Sequence, residues 1–236
     1  MVDDAITKAE EAIATNHPNI QVGEDAFWFR EIASRSKHRF DLLIENDTDL
    51  YQLVWNQVLG NDSEVPSLLQ TLFHDDHTEW EMDLSVVYSK PGANHQGWHA
   101  DGGHIEGDSD TSWDESISNP TKLAAPYAIC LFVPLVDLDH TLGFTQFWPG
   151  THKYKELVGF GPFAEVAKAT WDGTVRTREA IVYDYRLLHR GMPNYSNTKS
   201  KVYHPYRAVL QLLCRKHWYK ETNNYGKASI YQSALQ

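Results

Sequence analysis

The sequence of 236 residues has few cysteines and no long apolar run. Cys130 and Cys214 each lie in an apolar, strand-like run, where a buried free thiol is typical, so no disulfide framework is expected. No stretch approaches the roughly 18 consecutive apolar residues of a membrane-spanning helix. The acidic N-terminus lacks the apolar core of a signal segment. We therefore expect a cytoplasmic protein that does not enter a membrane.

Basic residues are also scarce, which limits the possible partners. The chain carries 21 Lys and Arg against 32 Asp and Glu, a formal net charge of -11. Nucleic acids and anionic membranes require concentrated Lys and Arg, so neither is an expected partner. An acyl-CoA substrate is not favoured, because no compact basic cluster is present for the CoA phosphates. A small-molecule substrate is expected, and the pattern predicts no particular oligomeric state.

Length and composition fit one domain spanning residues 1–236. Residues 1–80 are expected to form a helical scaffold, with helices at 4–14, 49–59 and 66–73. Residues 81–220 are expected to form a β core, with strand-like runs at 84–90, 126–138, 144–148, 180–188 and 207–219. The irregular segment 105–121 is predicted to be a lid loop, since long loops in compact domains often cover a site. This pattern indicates a mainly β barrel or sandwich with N-terminal helices.

His99 and Asp101 form a candidate metal-binding pair in Gly97-Trp98-His99-Ala100-Asp101. Alternate side chains of a strand share a face, so both can point at one ion. Iron(II) oxygenases use two histidines and one carboxylate on one face of the metal, which leaves positions open for a cosubstrate and dioxygen. A second histidine from a distant strand is then required.

His74 and Asp76 repeat the same spacing and are a rival pair. They follow a predicted helix, whereas His99 and Asp101 follow the β-rich run that ends at Lys90. The context favours His99 and Asp101, and the alternative for this pair is a hydrogen-bonded strand pair without a metal.

Four blocks, in order, resemble the phytanoyl-CoA dioxygenase family. They are Lys90-Pro91-Gly92 with Trp98-His99-Ala100-Asp101, Gly143 with Trp148-Pro149-Gly150-Thr151-His152-Lys153, Asp184-Tyr185-Arg186-Leu187-Leu188-His189 with Pro193-Asn194, and Arg207-Ala208-Val209-Leu210-Gln211. The resemblance covers about residues 85–218. It implies a double-stranded β-helix, which is a jelly-roll, cupin-like barrel, together with iron(II) and 2-oxoglutarate.

The resemblance also implies roles for individual residues. His99, Asp101 and His189 would bind iron(II), and Arg207 would pair with the distal carboxylate of 2-oxoglutarate. A planar guanidinium suits a carboxylate in a water-poor barrel. Alternatives stay open, because His204 and His217 are rivals of His189 and Arg207 could form a structural ion pair instead. The next candidate arginines are then Arg176, Arg186 and Arg190.

One position departs from the family pattern. Members commonly carry a hydroxyl two residues after the distal histidine, where it shares the cosubstrate carboxylate with the arginine, but here that position is Gly191. Another donor is expected, and the candidates are Tyr88, Thr145 and Thr151. Candidates for the substrate pocket are Trp98, His104, Trp113, Gln146 and Trp148, each with core packing or surface exposure as the alternative.

Together these features predict an iron(II)- and 2-oxoglutarate-dependent dioxygenase that consumes O2, oxidises a small-molecule metabolite and releases succinate and CO2. Hydroxylation is the default outcome. The first alternative is a metal-dependent barrel oxidase that does not use 2-oxoglutarate, which an exposed or ion-paired Arg207 would favour. The second is a non-catalytic small-molecule-binding barrel, which a lack of iron affinity would favour.

Overall fold

A computed structural model describes residues 2–73, 80–104, 125–196 and 205–232. The described helices are α1 (Val2–Asn16), α2 (Asp49–Val58), α3 (Val65–Phe73) and the short α4 (Phe163–Val166). Thr48 caps α2, because its side chain accepts a hydrogen bond from the Tyr51 amide. The three predicted helices are confirmed to within two residues at each end.

In the described part of the chain, ten strands form two antiparallel sheets. They are β1 (Phe27–Trp28), β2 (Ile32–Ser36), β3 (Arg39–Ile44), β4 (Trp80–Ser89), β5 (Ala128–Pro134), β6 (Thr145–Phe147), β7 (Trp171–Gly173), β8 (Ile181–Asp184), β9 (His189–Gly191) and β10 (Arg207–Lys216). The seven-stranded sheet has the order β1-β2-β3-β4-β10-β5-β8, and the three-stranded sheet has the order β7-β6-β9. The predicted strand-like runs correspond to β4, β5, β6, β8 and β10. The predicted jelly-roll fold is confirmed.

Residues 1–80 are not a purely helical scaffold, which corrects the sequence-based expectation. Strands β1, β2 and β3 lie within this segment and extend the large sheet, because β3 pairs with β4 along its whole length. The expectation missed these strands because the buried polar residues Ser34 and Arg39 interrupt the apolar alternation that marks a strand.

Strand β10 separates the two layers of the core. Leu210 belongs to the larger apolar cluster, which includes residues of α1, α2 and α3, whereas Val209 and Leu213 belong to the cluster between the sheets. Because side chains alternate along a strand, Arg207 and Gln211 share the face of Val209. Arg207 and Gln211 are thereby directed between the sheets.

The predicted lid loop 105–121 lies outside the described residues. In the part of the chain that the structure describes, no helix is long and apolar enough to cross a membrane.

Candidate active site

The three predicted metal ligands meet between the two sheets. His99 and His189 form an isolated antiparallel bridge, in which each amide donates to the carbonyl of the other at 3.0 and 2.8 Å. Nε2 of His99 lies 3.7 Å from Oδ1 of Asp101, and Nε2 of His189 lies 3.5 Å from Oδ2. One ligand atom from each residue lies within 4.8 Å of the other two. The three side chains are therefore close enough to share one ion.

Backbone carbonyls orient both imidazoles. Nδ1 of His99 lies 2.7 Å from the Gly97 carbonyl oxygen, and Nδ1 of His189 lies 2.9 Å from that of Leu187. When Nδ1–H donates to these carbonyls, Nε2 carries a free lone pair for a metal. Burial lowers the pKa of His189, against the opposing charge of Asp101, so the neutral form that binds a metal is favoured.

Neighbouring side chains hold Asp101 and shield His189. Tyr183 and Gln211 donate long hydrogen bonds to Oδ2 of Asp101, at 3.4 and 3.5 Å. The rings of Phe147 and Tyr183 pack against His189, with centroid distances of 5.9 and 5.2 Å. This packing keeps water from one side of the site.

A narrow cavity of about 60 Å3 lies at the metal site. Arg207 lines it together with His99, Asp101 and His189. Its side chain is buried, its Nη2 donates to Oγ1 of Thr145 at 2.8 Å, and its Nε has no partner among the described residues. Burial lowers the pKa of Arg207 to about 10, so the guanidinium is still charged at neutral pH. A buried cation that has no carboxylate partner in the described part of the chain indicates a site for an anionic ligand.

Thr145 is the candidate hydroxyl that contacts Arg207, and it also pairs across the sheet with Gly191. The other two candidates are engaged elsewhere. The hydroxyl of Tyr88 donates to Oδ1 of Asp3 in α1 at 2.6 Å, on the helix side of the large sheet. The hydroxyl of Thr151 bonds two backbone groups at 2.8 and 3.0 Å. The expectation that Tyr88 or Thr151 faces the cosubstrate is therefore corrected.

Three of the substrate-pocket candidates lie on the far face of the small sheet. Thr145 and Phe147 of β6 face inward, so strand alternation turns Gln146 outward, where it donates to Asp172 at 2.8 Å. Trp98 and Trp148 belong to an apolar cluster on that side. The expectation that Gln146, Trp98 and Trp148 line a pocket at the metal site is therefore corrected.

Of the two remaining substrate candidates, His104 lies in the described part of the chain and does not line the metal cavity. His104 lines a separate cavity of about 450 Å3 with His152 and Arg186. Trp113 lies outside the described residues.

The structure describes some of the rival residues for the metal and cosubstrate sites and not others. His74, Asp76 and His204 lie outside the described residues, and His217 is exposed. Among the alternative arginines, Arg186 pairs with Asp184 at 2.8 Å and Arg190 pairs with Glu165 at 2.5 Å, while Arg176 is exposed.

Sequence reasoning missed Arg39, which lines the cavity beside Arg207. Its Nε and Nη2 donate to the Asn94 carbonyl at 3.1 and 2.8 Å, and Nη2 also donates to the Met192 carbonyl. Nη1 is buried without a partner among the described residues. Burial, and then the positive charge of Arg207, lower the pKa of Arg39 to about 9. The available signal in the sequence was an arginine at the start of the strand-like run Arg39–Ile44, which also contains Asp41.

A third cavity, of about 520 Å3, adjoins His99 and Asp101, and most of the residues that line it are polar. The lining includes Arg35, Ser36, His95, Gln96, Asn223 and Asn224. Arg35 donates to Oδ1 of Asn224 at 2.5 Å, which ties β2 to the segment that follows β10. Sequence reasoning missed this cavity because the residues that line it, such as Arg35 and Asn224, lie far apart in the chain.

A metal triad beside a buried cation for a dicarboxylate is the arrangement of iron(II)- and 2-oxoglutarate-dependent oxygenases, and the fold and site place the chain in this class. The family model described as "Phytanoyl-CoA dioxygenase (PhyH)" matches residues 4–202. Because the match covers most of the chain, the chain belongs to the phytanoyl-CoA dioxygenase family.

Solved structures share the fold at low sequence identity. HygX from Streptomyces hygroscopicus, with nickel and 2-oxoglutarate bound, is 11% identical over 94% of this chain and 87% of its own, with a TM-score of 0.53. The epimerase SnoN, in complex with Fe3+, α-ketoglutarate and nogalamycin RO, is 14% identical over 91% and 74%, with a TM-score of 0.52. AviO1 from Streptomyces viridochromogenes Tue57 is 16% identical over 92% and 86%, with a TM-score of 0.50.

Proposed function

We propose that the chain uses iron(II), 2-oxoglutarate and O2 to oxidise a C–H bond of a small polar metabolite, by default through hydroxylation. In such a reaction one oxygen atom of O2 enters the substrate and the other enters succinate, with loss of CO2. The observation that carries the proposal is the buried guanidinium of Arg207, which lies in the same cavity as the metal triad and has no carboxylate partner among the described residues.

His99, Asp101 and His189 would hold the iron(II). Their donor set of two neutral imidazoles and one carboxylate suits this ion and leaves three positions open. The carbonyls of Gly97 and Leu187 orient the imidazoles. When bound, the iron would activate O2, while 2-oxoglutarate would supply electrons through its decarboxylation.

Arg207 would anchor the distal carboxylate of 2-oxoglutarate, with Thr145 as the supporting hydroxyl. Arg207 is neither exposed nor ion-paired among the described residues, which argues against the barrel oxidase that does not use 2-oxoglutarate. Thr145 accepts a hydrogen bond from Arg207 and retains its own proton to donate to the carboxylate.

The polar cavity beside His99 supports a substrate class. Amide, imidazole and guanidinium groups line it, and these groups bind hydroxyl- or amine-bearing molecules. Solved structures of HygX and SnoN, which share this fold, contain hygromycin B and nogalamycin RO. We infer a small, hydroxyl-rich metabolite rather than an acyl chain.

The test is a turnover screen of the purified protein with iron(II), 2-oxoglutarate and a panel of sugars, aminocyclitols and glycosides. Mass spectrometry would follow succinate and any product that gains one oxygen atom. We expect succinate to form faster with the true substrate, and Asp101→Ala to abolish this gain. If iron binds the wild-type protein but no compound raises succinate above the level of Asp101→Ala, the proposal is wrong. A product of unchanged mass but inverted stereochemistry would indicate epimerisation instead of hydroxylation.

A further inference from the structure

Arg39 and Arg207 stand in one row on the inner face of the large sheet. Arg39 of β3 pairs with Ser89 of β4, and Ser89 pairs on its other side with Arg207 of β10. Paired residues of neighbouring strands share a face, so both arginines point between the sheets. Both line the narrow cavity that also contains His99, Asp101 and His189.

The guanidinium of Arg39 has one edge engaged and one edge free. Nε and Nη2 donate to the carbonyls of Asn94 and Met192, which are neutral acceptors and leave the charge uncompensated. Nη1 is buried without a partner among the described residues. A second buried cation beside Arg207 is costly unless an anion binds there.

Gly191 makes room for this free edge. A Cβ at position 191 would lie 2.6 Å from Nη1 of Arg39 and 2.5 Å from Oε1 of Gln96, closer than real Cβ atoms approach. Position 191 is where the family commonly carries the hydroxyl that shares the cosubstrate carboxylate. Nη1 of Arg39 therefore occupies the space beside the backbone in which that hydroxyl would stand.

We propose that Arg39 is a second anchor for the distal carboxylate of 2-oxoglutarate and replaces the hydroxyl absent at Gly191. The carboxylate would then lie between two guanidinium groups, with Thr145 beside Arg207. This inference rests on the proposed use of 2-oxoglutarate. It deepens that proposal by naming a binding residue from β3, outside the strands that carry the metal ligands.

The alternative is that Arg39 only ties together the backbone near Asn94 and Met192. The two roles differ in their ligand dependence. A carboxylate anchor discriminates between 2-oxoglutarate and 2-oxopentanoate, which has the same chelating end and chain length but no distal carboxylate. A purely structural role would affect both acids alike.

The experiment measures the Kd of each acid by calorimetry on Mn(II)-loaded protein without O2, so that no turnover is needed. We expect Arg39→Ala to raise the Kd of 2-oxoglutarate about 10- to 100-fold, as for loss of a hydrogen bond to a charged group. The Kd of 2-oxopentanoate should rise less than about twofold. Arg39→Lys should recover only part of the loss, because it keeps the charge but not the planar geometry. The matched control is Arg190→Ala, which removes an arginine from β9 that pairs with Glu165.

A compensating variant covers the case in which Arg39→Ala merely loosens the fold. Gly191→Ser alone should weaken the binding of 2-oxoglutarate, because the serine side chain would collide with Arg39. In the double variant Arg39→Ala with Gly191→Ser, the serine occupies the vacated space, and 2-oxoglutarate should bind at least about threefold more tightly than to Arg39→Ala.

Three results would overturn the inference. They are equal weakening of both acids in Arg39→Ala, a change of 2-oxoglutarate affinity below about twofold in that variant, or a double variant no tighter than Arg39→Ala. If the wild-type protein with bound metal does not take up 2-oxoglutarate at all, the proposed function fails as well. If wild type binds it and Arg207→Ala does not, only the role of Arg39 is lost.

Discussion

At the residue scale, the charge of Arg207 should set the affinity for a dicarboxylate. Breaking a buried ion pair costs about 3 to 5 kcal/mol, which is about two to four decades of Kd. We expect Arg207→Ala to weaken 2-oxoglutarate binding within the lower part of this range, because Arg39 stays in the cavity. Arg207→Lys should recover part of the loss. Calorimetry on Mn(II)-loaded protein would measure this, with the exposed Arg176→Ala as control. A loss below about threefold would show that another residue anchors the cosubstrate.

The two thiols give a second prediction at this scale. Cys130 and Cys214 are fully buried and free. Burial raises the pKa of Cys130 well above its usual range and that of Cys214 to about 12. Because the thiolate is the reactive form and a raised pKa keeps the thiol protonated, a disulfide reagent at about pH 8 should label neither residue in the folded protein. Both should react after unfolding in guanidinium. Rapid labelling of the folded protein would contradict the burial of these residues.

At the element scale, helix α1 backs the sheet that carries the site. Ile6, Ala9 and Ile13 are buried against it. Lys90 binds Glu10 at 2.6 Å, so one ion pair supports the same contact. Ile13 is 0% exposed, and Ile13→Ala should lower the free energy of unfolding by about 2 to 5 kcal/mol through lost burial and a cavity.

Urea unfolding would measure this loss as a lower midpoint at unchanged slope. The control is Leu53→Ala on α2, whose side chain is 58% exposed and whose loss should change stability by about 0.5 kcal/mol or less. Equal effects of the two substitutions would mean that α1 is not docked on the sheet as described.

The elements that could be predicted from sequence are those with local signals. Helices α1 to α3 have helical spacing, and β10 alternates between two apolar faces within ten residues. Strand β9 is three residues long and exists through its pairing with β6, which no local pattern reveals. Its Gly191 and the strand β3 meet only in the folded chain.

The same distinction applies to the site. His99, Asp101, His189 and Arg207 lie in motifs, so a family resemblance was enough to predict them, and the structure brings them together. Arg39 could not be predicted in this way, because its position beside Arg207 depends on the pairing of β3 with β4 and of β4 with β10. The outward direction of Gln146 likewise depended on which residues of β6 face Arg207.

At the scale of the whole molecule, the negative net charge of the chain contrasts with the positive charge of two buried arginines. The chain carries -11 overall, yet its inner cavity contains two buried arginines without carboxylate partners among the described residues. A negative net charge disfavours polyanions such as nucleic acids, whereas the two buried arginines favour a small anion that fits between the sheets. A metal ion and a dicarboxylate bound together would relieve the charges on both Asp101 and the arginines.

Ligands that bind the folded state should therefore stabilise the whole chain by mass action. At a free concentration of about 100 times Kd, a ligand adds about 2.7 kcal/mol. For a domain of this size each kcal/mol shifts Tm by about 2 to 4 °C, so 2-oxoglutarate added to Mn(II)-loaded protein should raise Tm by about 5 to 11 °C. Scanning calorimetry without O2 would measure the shift. Asp101→Ala should lose the gain caused by Mn(II), and Arg207→Ala at the same ligand concentration should lose most of the gain caused by 2-oxoglutarate. Equal shifts in wild type and both variants would mean that the ions act as general salts rather than at this site.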